Sequence, residues 1–357
     1  MTSWMHYNPV RIDAGAGGLA RVAGHVPPWG DVLLVTTEGF VRRGQADEVR
    51  TVLGAERVHV YAEVTPNPEL DALDLAKRRF ADLQPSAIVA LGGGSAIDAA
   101  KALSVILDSA QSAPLEHALR QGAGQAWDKA IPVVAIPTTS GTGAEVTPFA
   151  TVWDSVHHRK HSIAGDAVFP AVAILDPELA LSLPEKETLH TALDAISHAM
   201  ESLWNRNRTS VSEVFAAQAL ALAVDALPRV LGEPGNLSAR SAMQQASLLA
   251  GLAISQTRTA IAHAISYPLT SHYGIPHGLA CSFTLPNILS EYLQQNEELR
   301  FRSLLTAAGG LLEGLDLRVR VAEYATVAQI DALRSEMFQP GRADNYVGVP
   351  DLDRFLR

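Results

Sequence analysis

The chain has 357 residues, 47% hydrophobic and 18% charged, with 26 glycines and 20 prolines. That composition excludes a disordered, collagenous or coiled-coil chain, and at about 100–200 residues per domain it favours two domains. A net charge of −10, from 28 basic and 38 acidic residues, argues against a general nucleic-acid binder or a polybasic membrane anchor. The single cysteine, Cys281, excludes an internal disulfide and every cysteine-rich zinc module.

In chain order, a short Val10–Ile12 run leads into Gly15-Ala16-Gly17-Gly18-Leu19-Ala20, which fits G-x-G-x-x-A. No clear buried strand precedes it and no acidic ribose partner follows at the expected distance, so it reads as an edge turn. Val32–Thr36 and Val58–Ala62 are strand-like, with Gly39–Gly44 forming a turn and helix start between them. Asp71–Leu83 is a helix with Leu73, Ala76, Phe80 and Leu83 along one stripe. Ala87–Leu91 runs into Gly92-Gly93-Gly94-Ser95, and Ala96–Leu107 is helical again. Pro132–Ile136 ends at Pro137-Thr138-Thr139-Ser140-Gly141-Thr142-Gly143, and Val172–Asp176 is one more apolar run. Continuous apolar strands interleaved with helices predict a mostly parallel sheet covered on both faces.

Beyond Asp176 the pattern turns alanine-rich and helical, over Glu187–Trp204, Ser210–Val230, Ala239–Ser255 and Arg258–Pro268. The expected division is an α/β dinucleotide-binding domain over 1–178 and a helical domain over 179–357, the boundary falling near Asp176–Glu185. The N-terminus lacks the basic start and apolar run of a signal peptide, and no run reaches the 18 uninterrupted apolar residues of a membrane span. A soluble, cytoplasmic protein is expected.

Gly92–Asp98 sits between a buried strand and a helix. Glycine lets backbone approach a ligand, and the helix start offers free N–H groups and a positive dipole end, which suit a pyrophosphate. Ser95 is read as the N-cap, with Asp98 in the N3 position. The Thr138–Gly143 stretch resembles a second polar cradle; its hydroxyls can donate to phosphate or ribose. Two such loops at the ends of neighbouring strands suggest a dinucleotide crevice.

Asp194 and His198 stand at i, i+4 in His190–Met200, which stacks them on one helical face. His263 and His277 follow, separated by Pro268, Gly274 and Pro276, which would break the helix and fold the chain back. A carboxylate and three imidazoles suit Fe(II) or Zn(II). The same histidines fit capping or core roles, and His190 shares the stripe, so spacing alone does not choose. His157, His158 and His161, near Arg159 and Lys160, read as a solvated loop.

Taken together, Gly92–Lys101 (GGGSAIDAAK), Pro137–Thr147 (PTTSGTGAEVT), Ile174–Leu179 (ILDPEL), Leu193–Glu201 (LDAISHAME) and His263 through Pro276-His277-Gly278 resemble the iron-containing (group III) alcohol dehydrogenases. The resemblance runs through residue 278 and fades after Glu297. It implies a Rossmann-like N-terminal domain, an all-helical C-terminal domain and a cleft between them. It further implies that Asp194, His198, His263 and His277 hold the catalytic metal, and that Gly92, Gly93, Gly94, Ser95 and Asp98 bind NADH or NADPH, with Thr138, Thr139 and Thr142 closing around it. His190 has no counterpart in that motif. A homodimer is also implied.

Two departures from the family pattern bear on specificity. Where NAD-preferring members often carry an aspartate, this chain has Thr37 followed by Glu38; losing the anion relieves repulsion against a 2′-phosphate, and Arg42 and Arg43 follow, so NADPH is expected to be accepted and preferred. Four residues after His263, where many members have a histidine, stands Tyr267, a candidate for proton transfer or for pocket wall. That segment, with Tyr273–Gly278, resembles the phosphonoacetaldehyde reductases. Arg258 is the first candidate for holding a phosphonate, with Lys160 and Arg159 behind it. The expected reaction is therefore metal-assisted reduction of a small aldehyde, phosphonoacetaldehyde foremost. Other small-aldehyde or polyol dehydrogenases, a maleylacetate-reductase-like enzyme and a dehydroquinate-synthase-like lyase are the alternatives.

Overall fold

The computed structural model describes residues 3–123, 127–157, 159–338 and 341–356. Among them, β1 (Arg11–Ala14), β2 (Val32–Val35), β3 (Val58–Tyr61), β4 (Ala87–Gly92), β5 (Val133–Pro137) and a later strand, Val172–Leu175, form a six-stranded sheet. Between the last two lie β6 (Phe149–Asp154) and β7 (Arg159–Ala164), so the Val172–Leu175 strand is β8. The sheet is parallel throughout, in the order β1-β8-β5-β4-β2-β3.

The side-chain alternation of these apolar strands explains the layering. Leu33, Val35, Ile88, Ala90, Val133 and Ala135 enter one core, with Leu70, Leu73 and Ala76 of α3 (Leu70–Arg79) and Ile97 and Leu103 of α4 (Gly94–Ile106). Val32, Leu34, Val89, Leu91, Val134 and Ile136 enter another, with Ala46, Val49 and Leu53 of α2 (Gln45–Leu53), which follows the short α1 (Glu38–Arg42). Successive residues point to opposite faces, so a strand buried on both must be apolar at every position.

β6 and β7 pair antiparallel, Phe149 opposite Ala164 through Asp154 opposite Arg159. This hairpin corrects the reading of its histidines as a loop: His157 lies in the turn and His161 in β7, while His158 is outside the described residues. Its inward residues, Ala150, Val152 and Ile163, are fully buried, but the charged residues between them mask the alternation in the sequence.

Contacts group residues 8–139 and 144–180 as one unit, and Ser140–Gly143 with Leu181 onward and the segment ending at Tyr7 as another. The second unit is helical: α5 (Glu185–Leu203), α6 (Ser210–Gly232), α7 (Leu237–Thr257), α8 (Ile261–Tyr273), α9 (His277–Ser282) and shorter helices beyond. Its helix starts carry the caps their sequences supply: Thr209 and Ser212 form a capping box for α6, and Asn236 accepts from the Ala239 N–H for α7. By length and composition α6 could cross a membrane. Here it is a core helix, burying Ala216, Leu220, Ala223, Leu227 and Val230.

Pro268 does not break its helix, contrary to expectation; α8 runs through it to Tyr273 and ends at Gly274, whose φ is 64°. Burial of Ile265, Pro268 and Leu269 outweighs the backbone hydrogen bond that proline removes.

Candidate metal centre

α5 places Asp194, His198 and Glu201 on one buried face, at the i, i+4 and i+7 positions of a helix. The carboxylate Oδ1 of Asp194 lies 3.5 Å from His198 Nε2, 3.4 Å from His263 Nε2 and 3.8 Å from His277 Nε2. His263 comes from α8 and His277 from the first turn of α9. The His198 and His263 rings are stacked with centroids 4.7 Å apart. All four predicted ligands thus gather at one carboxylate oxygen.

Glu201 fixes the arrangement. Fully buried, it takes hydrogen bonds from the Ala260, Ala262 and His263 N–H groups at the start of α8, at 3.0, 2.6 and 3.2 Å, and lies 2.6 Å from His263 Nδ1. Holding Nδ1 turns Nε2 of His263 toward Asp194, the role a carboxylate plays behind a ligating histidine. In the sequence Glu201 only closes the Leu193–Glu201 motif, and its i+3 spacing from His198 is the one local signal of this role.

Asp194 Oδ1 and His263 Nε2 are buried with no hydrogen-bond partner among the described residues. Burial opposes ionisation of Asp194, but His198, His277 and His263 hold its carboxyl well below the usual range. Burial likewise disfavours a charged His263, yet Cys281, Glu201 and Asp194 raise it well above its ordinary value. A cluster whose field draws a proton onto an imidazole will bind a divalent cation in its place, so these residues fit a metal.

Among the described residues, Asp194, His263, His277 and Cys281 form a group of possible ligands whose ligand atoms lie within 4.8 Å of one another. Cys281, one turn after His277 on α9, lies 3.6 Å from both ring nitrogens of His277, and burial pushes its thiol up. His198 stands beside this group, against Asp194 and His263. The sequence reading missed Cys281. Tyr267 presents its ring to the centre, stacked on His277 at 6.0 Å, with the Arg342 guanidinium 4.4 Å above that ring. Arg258 is exposed at the C-terminal end of α7, with φ 61°. Lys160 lies 5.6 Å over the Trp153 ring.

In the α/β unit the two loops meet as expected at the ends of β4 and β5. Thr138 N–H donates to Gly92 O at 3.0 Å, and a Cβ on Gly93 would lie 3.1 Å from Thr139 Oγ1. Thr36 Oγ1 donates to Leu91 O at 2.7 Å, tying β2 to β4, where the chain order of the sheet reverses and doubly wound sheets bind nucleotides. Thr37 occupies the N-cap position of α1 without a side-chain capping hydrogen bond. The N-cap of α4 is Gly93, not Ser95; Ser95 instead accepts from Asn67 N–H at 3.3 Å. Asp98 is no capping partner either, since it accepts from Thr151 N–H at 2.9 Å. Lys101, fully buried and pushed down to about 8 by burial, donates to the Thr147 and Phe149 carbonyls.

The close approach permitted by the later glycines is to protein. A Cβ on Gly141 would meet Thr191 O at 2.5 Å, and one on Gly143 would meet Gly251 Cα at 2.4 Å. Thr142, between them, belongs with the helical unit. The Gly15–Ala20 turn is unsuited to phosphate, because Gly17 N–H donates to Glu178 at 3.2 Å and Leu19 N–H to Asp176 at 3.1 Å. An anion would meet carboxylates there.

A parallel α/β unit with a glycine turn at its switch point, followed by a helical unit with a buried carboxylate–imidazole cluster, defines a dinucleotide-linked metal oxidoreductase. The profile of the iron-containing alcohol dehydrogenases matches residues 9–177, and that of the Fe-containing alcohol dehydrogenase family C-terminal region matches residues 188–345. The chain is 40% identical over 224 residues to a phosphonoacetaldehyde reductase of Streptomyces viridochromogenes, a stretch covering 61% of this chain and 56% of that enzyme. It is 32% identical to a sulfoacetaldehyde reductase of Bilophila wadsworthia, over 80% of this chain and 73% of that one. The solved structure of a sulfoacetaldehyde reductase from Bifidobacterium kashiwanohense in complex with NAD+ superposes with a TM-score of 0.88 at 32% identity, covering 100% of this chain and 97% of that one. This chain belongs to the iron-containing alcohol dehydrogenase family, NAD(P)-dependent metal enzymes that interconvert small aldehydes and alcohols.

Glu201→Gln is expected to weaken metal affinity about 10–100-fold, because the amide no longer fixes the His263 tautomer with full charge. Competition against a graded series of chelators measures it; unchanged affinity would make Glu201 a helix cap only.

Proposed function

We propose that this protein reduces phosphonoacetaldehyde to 2-hydroxyethylphosphonate with NADPH or NADH. The observation that carries the reading is the pairing of an ionised, buried Asp194 with three imidazoles whose Nε2 atoms lie within 3.8 Å of its Oδ1. The choice of aldehyde is supported by relatives whose names specify two-carbon aldehydes ending in a tetrahedral oxyanion.

Asp194, His263 and His277 would hold the metal. We assign the fourth position to His198 rather than Cys281, because burial favours a neutral thiol and an O/N ligand set suits Fe(II). When bound, the metal supplies Lewis-acid polarisation of the carbonyl and the nicotinamide supplies the hydride. The protein's own groups do the rest. Glu201 holds His263 in its ligating tautomer. Buried neighbours on α5 and α8 keep water away and strengthen each electrostatic contact. His277, 33% exposed, marks the side from which substrate enters. The Tyr267 face forms the wall beside it, and its hydroxyl is one candidate to pass a proton to the product oxygen. Gly92–Ser95 and Asp98, with Thr138, Thr139 and Thr142, would hold the cofactor.

Acceptance of NADPH is supported at the end of β2. A Cβ on Gly39 would lie 3.0 Å from Arg43 Nη1 and 3.6 Å from Thr37 Oγ1, so a guanidinium lies next to the hydroxyl where an aspartate would repel a 2′-phosphate.

The test is a panel of phosphonoacetaldehyde, sulfoacetaldehyde and propanal, each with NADPH and NADH, before and after chelation. Phosphonoacetaldehyde should exceed propanal by at least about tenfold in kcat/KM, about 1.4 kcal/mol of transition-state binding. NADPH should be the better cofactor, and Fe(II) or Zn(II) should restore the chelated enzyme. No cofactor consumption with any aldehyde would sink the reading; a strong NADH preference would remove the Arg43 part.

A further inference from the structure

We propose that Arg342 is the anion-binding residue of the substrate site, pairing with the terminal phosphonate or sulfonate of a two-carbon aldehyde whose carbonyl end lies at the Asp194–His263–His277 cluster. This rests on the reductase reading above and replaces Arg258 in that role.

Arg342 shares an aromatic neighbour, Tyr267, with two histidines of the cluster. Its Cζ is 4.4 Å from the Tyr267 ring centre; Tyr267 lies parallel to His277 within 8°, at 6.0 Å, and edge-on to His263 at 6.4 Å. The guanidinium is therefore no more than about 10 Å from the His277 ring centre. A two-carbon aldehyde with one end at the cluster and a charge-assisted hydrogen bond of about 2.8 Å at the other reaches about that far. A planar fork stacked on an aromatic face keeps its edge N–H groups free for two oxygens of a tetrahedral anion.

The other half-buried or buried arginines of this unit are spent on structure. Arg240 donates to Pro234 O, Thr188 Oγ1 and Leu183 O, Arg302 to the Leu293 and Asn296 carbonyls, and Arg334 pairs with Asp331 and Asp353. Among the described residues, Arg342 makes no such hydrogen bond and no ion pair, although it is half-buried. Its guanidinium lies over the Tyr267 face. In a chain of net charge −10, a cation left without a carboxylate beside a metal centre is suited to an anionic ligand.

The turn bearing Arg342 is held to the elements that carry the ligands. Asn345 N–H donates to Arg342 O at 2.9 Å, Asn345 Nδ2 to Thr259 O at 2.8 Å just ahead of α8, and Asn207 Nδ2 to Asn345 Oδ1 at 3.2 Å. Arg206 N–H donates to Asn345 O at 2.8 Å and Val347 N–H to Trp204 O at 3.1 Å, joining the turn to the end of α5. The backbone carrying the guanidinium is thus fixed before substrate arrives, which lowers the ordering cost of binding.

The experiment compares metal-loaded wild type, Arg342→Ala, Arg342→Lys and Arg258→Ala. Steady-state reduction of phosphonoacetaldehyde, sulfoacetaldehyde and propanal is measured alongside calorimetric binding of 2-hydroxyethylphosphonate and 2-hydroxyethanesulfonate. Arg342→Ala should lose at least about 30-fold more kcat/KM on an anionic aldehyde than on propanal, mostly through KM, and weaken the matching anion to the same degree. Arg342→Lys should fall between. Metal content and melting temperature, measured on every variant, separate this from damage to the fold. Which anion depends more on Arg342 distinguishes phosphonate from sulfonate. Equal losses on anionic and neutral aldehydes, or the selective loss appearing in Arg258→Ala instead, would overturn the assignment. Wild type that binds the anions through Arg342 yet reduces no aldehyde would leave Arg342 standing and remove the reductase reading. Reduction without any anion preference would do the reverse.

Discussion

Asp194→Asn is expected to abolish stable metal binding and to lower kcat/KM by at least about 10³-fold, with the helical fold retained. The substitution keeps the shape of the side chain and removes its charge, so any loss reports electrostatics rather than packing. Asp194 Oδ1 is the one atom that His198, His263 and His277 all face, at 3.5, 3.4 and 3.8 Å. Without its charge, three imidazoles remain beside the Glu201 carboxylate, and that group is committed to His263 Nδ1 and the α8 N–H groups. Losing one well-placed stabiliser of transition-state charge costs about 10²–10³-fold, and loss of the metal itself adds to that. Metal analysis after dialysis and circular dichroism separate the two effects. A variant that keeps its metal and its activity would remove Asp194 from the centre.

The second large effect comes from a residue with no side chain. A Cβ on Gly278 would lie 1.8 Å from His190 O, 2.8 Å from His190 C and 3.2 Å from Asp194 N. These are backbone atoms of α5, so no rotamer change relieves the clash; α9 must move away from α5, taking His277 and Cys281 with it. Gly278→Ala should therefore destabilise by about 4 kcal/mol or more and reduce metal affinity together with stability. Gly310→Ala is the control: it lies within α11 (Arg302–Glu313) with nothing within 4 Å of the added carbon. There alanine should stabilise by about 0.5–1 kcal/mol. Thermal melts of both variants decide the matter, and a stable Gly278→Ala would show that α9 has slack where the structure has none.

The separation of the centre into near and distant contributions follows chain distance. Asp194 and His198 share a helical turn, so their spacing shows the common face, and the apolar runs ending in Gly92 and Pro137 announce strands whose ends adjoin. Those relations are local, set by 3.6-residue and two-residue periods that any stretch of chain displays. The hairpin of β6 and β7 was obscured because Arg159, Lys160 and His161 interrupt the apolar alternation. The passage of α8 through Pro268 was hidden because burial, not propensity, decided it.

Roles that depend on partners far along the chain were settled by packing. Glu201 is an unremarked acid on α5 until the start of α8 is laid against it, 59 to 62 residues away, with His263 in reach. Gly141 and Gly143 stand in a stretch read as a polar cradle, and packing gives them Thr191 and Gly251 as close neighbours. Arg342 lies 75 residues beyond Tyr267, and no periodicity links the two; the turn fixed by Asn345 brings the guanidinium over the ring. Local spacing records which side chains share an element, and that was enough for the parallel sheet, the glycine turn and the aspartate–histidine pair. Which elements press together is set by the fit of whole surfaces, and only that fit joins the carboxylate behind His263, the thiol beside His277 and the cation above Tyr267 to one centre.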